Sequence, residues 1–369
     1  MLAAIALLFL SGSPQPPPTA YRDFRRQLIA QYPDWQRASE KPAFAKALNR
    51  AWRMVGDSTA EYLHSHPEAS AKEIAAAVEA LNGGKCAEND DPCASYQLEA
   101  EALPLGGAFV VSATYPQGGT FFVVDSTGVR WNIKDMAARH YAKRDEIGKW
   151  AWIGFGWGEG PLIPRLRPLA PMRNGHPRFC VDADTGTAIG GTFARQISVW
   201  EWTGREALPQ FIRSYSISFE TGAIEVKDDA IRIPIKGDYK TFYSCGQCVE
   251  PKVIWTLRIT PDGVRDAGKT HVVPELEKVD ELFDRILRKK STKDLAAPRV
   301  ATALRKLLAG FEPGDIGMLG EWHVTDENGR HVLQFLADNI DCGPWRFEME
   351  RRAGGLYFLD VQTAACSER

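Results

Sequence analysis

The hydrophobic period of this chain changes three times, and that change constrains the fold more than any single motif does. Between residues 21 and 82 apolar side chains recur at three- and four-residue steps, so that Phe44, Ala47, Leu48, Ala51, Trp52 and Val55 share one helix face. A further helix is expected from Ser70, where Ser70-Ala71-Lys72-Glu73 has the form of a capping box, Ile74, Val78 and Leu81 make one stripe, and Gly83-Gly84 ends it. From about residue 95 to 272 the period becomes two. Ala108-Phe109-Val110-Val111, Thr120-Phe121-Phe122-Val123-Val124, Ile197 to Trp202 and Ser214 to Phe219 read as strands. Turn residues separate them: Asp125-Ser126-Thr127-Gly128, Glu220-Thr221-Gly222 and Pro261-Asp262-Gly263 each place Gly where a hairpin needs positive φ. One short helix, from Ile133 to about Arg144, is expected to interrupt the hairpins. After Pro274 the helical period returns, with Leu276, Val279, Leu282, Phe283, Ile286 and Leu287 on one stripe and Val300, Leu304, Leu307 and Leu308 on another.

At 369 residues the chain is too long for one core and suits two or three domains. The expected division is 1–20 as signal peptide and Pro-rich linker, 21–82 as a helical segment, 95–272 as an antiparallel β domain, sandwich or propeller-like, and 273–369 as an α+β domain. The fold class is thus multi-domain α+β. Composition is that of a globular protein, 44% hydrophobic and 25% charged. With 45 basic and 47 acidic residues the net charge is only −2, which builds no field for nucleic acid.

The apolar run Met1 to Leu10, followed by Ser11-Gly12-Ser13 and then Gln15-Pro16-Pro17-Pro18, is too short to cross a bilayer and has the length of a signal-peptide core. No basic residue precedes it, so a buried terminal helix is the other reading. The expected location is periplasmic or secreted, with no membrane span after signal removal. Seven cysteines agree with an oxidising compartment, because six fall into locally plausible pairs: Cys86 with Cys93, Cys245 with Cys248, and Cys342 with Cys366. Cys180, in Phe179-Cys180-Val181, reads as a buried thiol.

The last quarter of the chain carries a two-helix, four-strand order. Its strands are Glu321 to Thr325, His331 to Ala337, Trp345 to Arg351 and Leu356 to Gln362, with turns at Asn328-Gly329 and Gly354-Gly355. This pattern, with its closing run Gly355-Leu356-Tyr357-Phe358-Leu359-Asp360-Val361, resembles NTF2-like domains, whose curved sheet and helices enclose a pocket. The resemblance covers about a quarter of the chain and carries over no functional residue.

Several motifs invite chemistry. Cys245-Gly246-Gln247-Cys248 fits a redox dithiol, half a metal site, or a disulfide closing a turn. Strand-like flanks and the nearby Pro251 favour the disulfide, since a dithiol of lowered pKa wants a helix behind its first Cys, and a metal would need further ligands; Cys180 and His176 are the nearest outside ones. In Trp150-Ala151-Trp152-Ile153-Gly154-Phe155-Gly156-Trp157-Gly158-Glu159-Gly160, glycines recur with a strand period. Trp152, Phe155 and Trp157 are the ligand-stacking candidates, set against plain core packing. Pro161 and Pro164 exclude a phosphate loop that leads into a helix. Asp182-Ala183-Asp184-Thr185-Gly186 departs from both an aspartyl-nucleophile motif and a calcium loop, so a polar turn is the plain reading. Histidines are scattered without a zinc-protease or nucleophile-elbow spacing. Arg288-Lys289-Lys290 with Lys293 reads as a solvated helix end.

These observations lead to an exported cell-envelope protein that acts as a non-catalytic binding or interaction module for a small-molecule, glycan or protein ligand, without cofactor or metal. Two alternatives stay open. One is a glycan-acting hydrolase using two of Glu159, Asp182, Asp184 and Glu201; the other is a thiol-disulfide protein using Cys245 and Cys248.

Overall fold

A computed structural model describes residues 19–363 except 35–37, 39–41, 88–89, 117, 134–162, 185–191, 219–223, 228, 237–238, 243–251, 313–315, 318, 328 and 338–343. Among the described residues it is a mixed α+β protein with four four-stranded antiparallel sheets and no closed barrel. It divides into two compact units: 1–168 with 176–185 and 200–209, and 169–175 with 186–199 and 210–369.

The first unit begins with three helices, α1 (Thr19–Gln31), α2 (Pro42–Ser65) and α3 (Ala71–Ala80). The capping box is formed as expected: Ser70 Oγ accepts from the Glu73 N–H, and Glu73 Oε2 accepts from the Ser70 N–H at 2.8 Å. Gly83, at φ +76°, ends this helical region where only glycine fits easily, because a Cβ there would stand 3.1 Å from the Arg22 side chain. A single turn, α4 (Asp91–Ala94), leads to the meander β1 (Glu99–Pro104), β2 (Phe109–Tyr115), β3 (Gly118–Asp125) and β4 (Gly128–Asn132).

Helices and meander share one core. Phe44, Leu48, Val55, Ile74 and Val78 pack with Val111, Ala113, Tyr115, Phe122 and Val124. The switch of period near residue 95 is therefore a change of element within one core. Helix α2 approaches the sheet closely at Gly56, where a Cβ would lie 2.9 Å from Val129 Cγ2. The opposite face of the meander is aromatic. Phe121 lies 5.8 Å from Trp131, 6.3 Å from Phe179 and 5.7 Å from Trp200, and Trp131 lies 5.5 Å from Trp200, with every pair tilted or edge-on. Strands β5 (Ile163–Leu169), β6 (Arg178–Asp184), β7 (Thr192–Trp202) and β8 (Ala207–Ser218) form the next sheet and contribute residues to both units.

The second unit holds β9 (Glu225–Lys227), β10 (Ala230–Lys236), β11 (Lys252–Thr260) and β12 (Gly263–His271) in the order β12-β11-β10-β9. Then come α5 (Pro274–Leu287), α6 (Pro298–Leu307) and the meander β13 (Leu319–Glu327), β14 (Arg330–Ala337), β15 (Trp345–Arg352) and β16 (Gly355–Thr363). The expected helix stripes are the buried ones: Leu276, Val279, Phe283 and Leu304 pack against Phe335, Trp345, Phe347 and Phe358. Asp280 of α5 ties in the preceding segment by accepting from the Lys240 and Thr241 N–H groups at 2.9 and 2.8 Å. The solvated face of the last sheet carries charge, with Arg330 and Arg346 on Glu348 and Arg346 also on Glu327. At the end of α5, Arg288 pairs with Asp284 one turn back, in keeping with a solvated helix end. The short helix expected from Ile133 lies outside the described residues beyond its first position.

Candidate functional site

The site is built on an edge strand. In the order β1-β2-β3-β4, strand β1 has no strand partner on its outer side among the described residues, and an exposed edge of this kind invites pairing with another chain. Side chains from the end of α3 occupy that side instead. Asn82 Oδ1 accepts from the Leu98 N–H at 2.8 Å and Asn82 Nδ2 donates to the Leu98 carbonyl at 2.9 Å, so one amide imitates a neighbouring strand. Two residues on, Glu79 Oε1 accepts from the Ala100 N–H at 3.4 Å. The outer edge is thus covered by side chains at Leu98, just before β1, and at Ala100 within it.

The two faces of the β1–β2 ladder differ because side chains alternate along each strand. Ala100, Ala102, Phe109, Val111, Ala113 and Tyr115 point toward the helices. Glu99, Glu101, Ser112 and Thr114 share the other face, since Glu99 is opposite Thr114 and Glu101 opposite Ser112 in the register. This polar face lines a groove of about 790 Å³. Its walls are completed by Glu79, Asn82, Lys85, Gln97 and Arg165. Glu101 Oε2 accepts from the Leu166 N–H at 2.8 Å, which fixes strand β5 along the groove. The Glu99 carboxylate and the Lys85 ammonium make no hydrogen bond or ion pair among the described residues, so both charged ends are presented to solvent.

The wall residues Asn82, Lys85, Gln97 and Leu98 flank a loop that is braced from behind. The disulfide Cys86–Cys93 is formed, as the sequence leads one to expect. Arg25 of α1, only 6% exposed, clasps the loop: its guanidinium donates to the carbonyls of Tyr96 at 2.8 Å, Cys93 at 3.1 Å and Asn82 at 3.3 Å. Its Nη2 also lies 3.4 Å from Cys86 Sγ and 3.3 Å from Cys93 Sγ. Beside it, the hydroxyls of Tyr21 and Tyr115 are hydrogen-bonded at 2.6 Å in the core, and the Tyr96 hydroxyl donates to the Tyr32 carbonyl at 2.7 Å. Burial pushes the Tyr115 phenol up to about 12 and raises Tyr21 and Tyr96 as well, so all three stay neutral.

A second polar cluster contains two residues singled out from the sequence. His176 Nδ1 is 2.6 Å from Glu201 Oε1, and Arg178 lies beside the same carboxylate, its guanidinium pKa lowered by burial and partly restored by Glu201. Glu201 is thus engaged by His176 and by the neighbouring Arg178. Asp182 is 5% exposed and adjoins the buried Cys180, whose thiol is pushed far up by burial first and by the Asp182 charge second. Asp184 belongs to β6. Glu159, Trp152, Phe155, Trp157, Cys245, Cys248, Cys342 and Cys366 lie outside the described residues. Among the described residues, no group of three or more His, Cys, Asp and Glu side chains is arranged to hold a metal ion, and no helix is long and apolar enough to cross a membrane.

No protein-family model matches this chain, and no curated protein matches its sequence. The groove residues themselves were not singled out by motif reasoning. Their signal in the sequence is a polar-on-apolar alternation, Glu99-Ala100-Glu101-Ala102 against Val111-Ser112-Ala113-Thr114, which marks a strand pair with one polar face.

Proposed function

We propose that this chain is an exported binding module whose first unit takes a hydroxyl-rich, saccharide-type ligand in the groove along β1, without covalent chemistry. The observation that carries the reading is the groove's lining. Carboxylate oxygens of Glu79, Glu99 and Glu101 accept hydrogen bonds, Lys85 donates, Arg165 adds positive charge and the Gln97 amide does both, over a floor in which Asn82 holds Leu98 and Ser112 and Thr114 are buried. A polyol needs this mixture, because every hydroxyl it buries has to regain the donor and acceptor it leaves in water. The volume of about 790 Å³ lies in the range of small-molecule sites.

Export is part of the same proposal, supported by the Cys86–Cys93 disulfide and the apolar N-terminal run. In this reading Trp152, Phe155 and Trp157 remain the residues to test for ring stacking. The second unit, with its NTF2-like pattern of two helices on a four-stranded meander, serves as an interaction domain.

Glycan-array binding followed by calorimetric titration of any ligand found tests the reading. Glu99→Gln with Glu101→Gln is expected to weaken binding at least tenfold, since each substitution removes a charged acceptor. Absence of binding to every glycan, or an unchanged affinity in the double variant, contradicts it.

A further inference from the structure

We propose that Cys86–Cys93 is a thiol-disulfide exchange site, taking as its reductant a dithiol or two molecules of a monothiol such as glutathione, and that its redox state sets the wall of the groove. The second part rests on the binding reading above; the first does not.

The surroundings of the two sulfurs suit the reduced pair better than the bridge. Arg25 brings a fixed positive charge to 3.4 and 3.3 Å from the two Sγ atoms while its other donors hold backbone carbonyls. A disulfide sulfur is a weak acceptor and gains little from that charge. A thiolate gains much, because a neighbouring arginine lowers a thiol's pKa. Gln97 Oε1, an acceptor, stands 3.2 Å from Cys86 Sγ. A bridged sulfur has no proton to offer it, whereas a Cys86 thiol would donate. Stabilising the reduced form raises the reduction potential and makes the disulfide easier to open. Both cysteines are partly exposed, so an attacking thiolate has access.

The chemistry balances as two displacements. A donor thiolate forms a bond to one Sγ, and the other Sγ leaves as a thiolate against Arg25. The dithiol's second thiol, or a second monothiol, then loses its proton and attacks the mixed disulfide, so that the donor ends as a disulfide and Cys86 and Cys93 receive its two electrons and, by pH, its two protons. The bond that breaks closes a loop whose ends adjoin groove residues Asn82, Lys85, Gln97 and Leu98. With that bond open, the hydrogen bonds of Arg25 and Asn82 and that of Tyr96 to Tyr32 are what still tie the flanks of the loop to the first unit.

The test uses the full chain in glutathione buffers of stepped ratio, with thiols trapped by alkylation and Cys86 and Cys93 read by peptide mass spectrometry. The expected result is reversible half-reduction within the glutathione range while the protein stays folded. Arg25→Met is expected to shift the equilibrium constant tenfold against reduction, about 30 mV for this two-electron couple. Because Arg25→Met also removes three bonds to backbone and can fail to fold, Gln97→Leu is the second variant, expected to shift it about threefold the same way. Hydrogen exchange of amides 82–98 is expected to rise on reduction. A pair that stays oxidised in millimolar reduced glutathione, or that is unmoved by both substitutions, overturns the exchange site. Unchanged exchange of 82–98 on reduction overturns the link to the groove. A chain that binds no glycan yet equilibrates with glutathione overturns the proposed function and supports the exchange site.

Discussion

Asn82 offers the sharpest test of how the groove wall is held. Its side chain satisfies both backbone groups of Leu98, at 2.8 and 2.9 Å, and Leu98 is 1% exposed. Asn82→Ala removes both partners at once and leaves a buried N–H and a buried C=O unpaired. Each such group costs about 1–3 kcal/mol. The adjacent groove admits some water to the vacated site, which places the sum toward the lower end, about 3 kcal/mol for the first unit. Asn82→Asp keeps the acceptor for the Leu98 N–H and loses only the donor, so its cost is expected to be smaller, about 2 kcal/mol. Lys85→Ala, an exposed and unbonded neighbour, is the control at about 0.5 kcal/mol or less. The assay is urea unfolding followed by tryptophan fluorescence, together with residue-resolved hydrogen exchange, in which the Leu98 amide is expected to lose its protection. A cost below about 0.5 kcal/mol for Asn82→Ala, with Leu98 still protected, would falsify the claim that this amide stands in for a strand.

Other consequences follow from the buried groups. Folding holds Tyr115 neutral with its phenol raised to about 12, and Tyr21 is raised with it, so stability is full below the ordinary phenol range near pH 10 and is lost as pH climbs through about 12; a pH series of unfolding midpoints checks the sign. Tyr21→Phe breaks the 2.6 Å hydroxyl pair and is expected to lower stability by about 1–2 kcal/mol in the same assay. Trp345 Nε1 is buried without a partner among the described residues, so Trp345→Phe is expected to stay within about 1 kcal/mol of the parent, whereas Phe347→Ala beside it should cost about 3–5 kcal/mol by chemical unfolding. The Cys180 thiol, fully buried and with its pKa driven up, is expected to resist alkylation until the chain is unfolded.

Periodicity made the elements legible and left the site hidden. The stripe from Phe44 to Val55, the Ser70 capping box, the α5 and α6 faces and all four C-terminal strands follow from spacing, because each buries one face against a neighbour and spacing records which face that is. The Cys86–Cys93 bridge was legible because its partners are close in sequence. The groove was not, since it joins residues from 79–85, 97–101, 112–114 and 165, and a local pattern carries no information about which strand edge meets which helix end. Glu201 and His176 show the same limit from the other side. Each is an ordinary residue in sequence, and only the strand pairing sets them 2.6 Å apart. Cys245, Cys248 and Trp157 are conspicuous in sequence because they sit in a CxxC and a Trp-Gly run, whereas the capping near β1 rests on ordinary Asn and Glu side chains.

The most direct test of the groove as the binding site is hydrogen-deuterium exchange of the full chain with and without a saturating saccharide from the array. Protection is expected to concentrate at residues 79–101, 112–114 and around 165, and to vanish in the Glu99→Gln, Glu101→Gln double variant. Protection confined to another part of the chain, with these segments unchanged, contradicts the account.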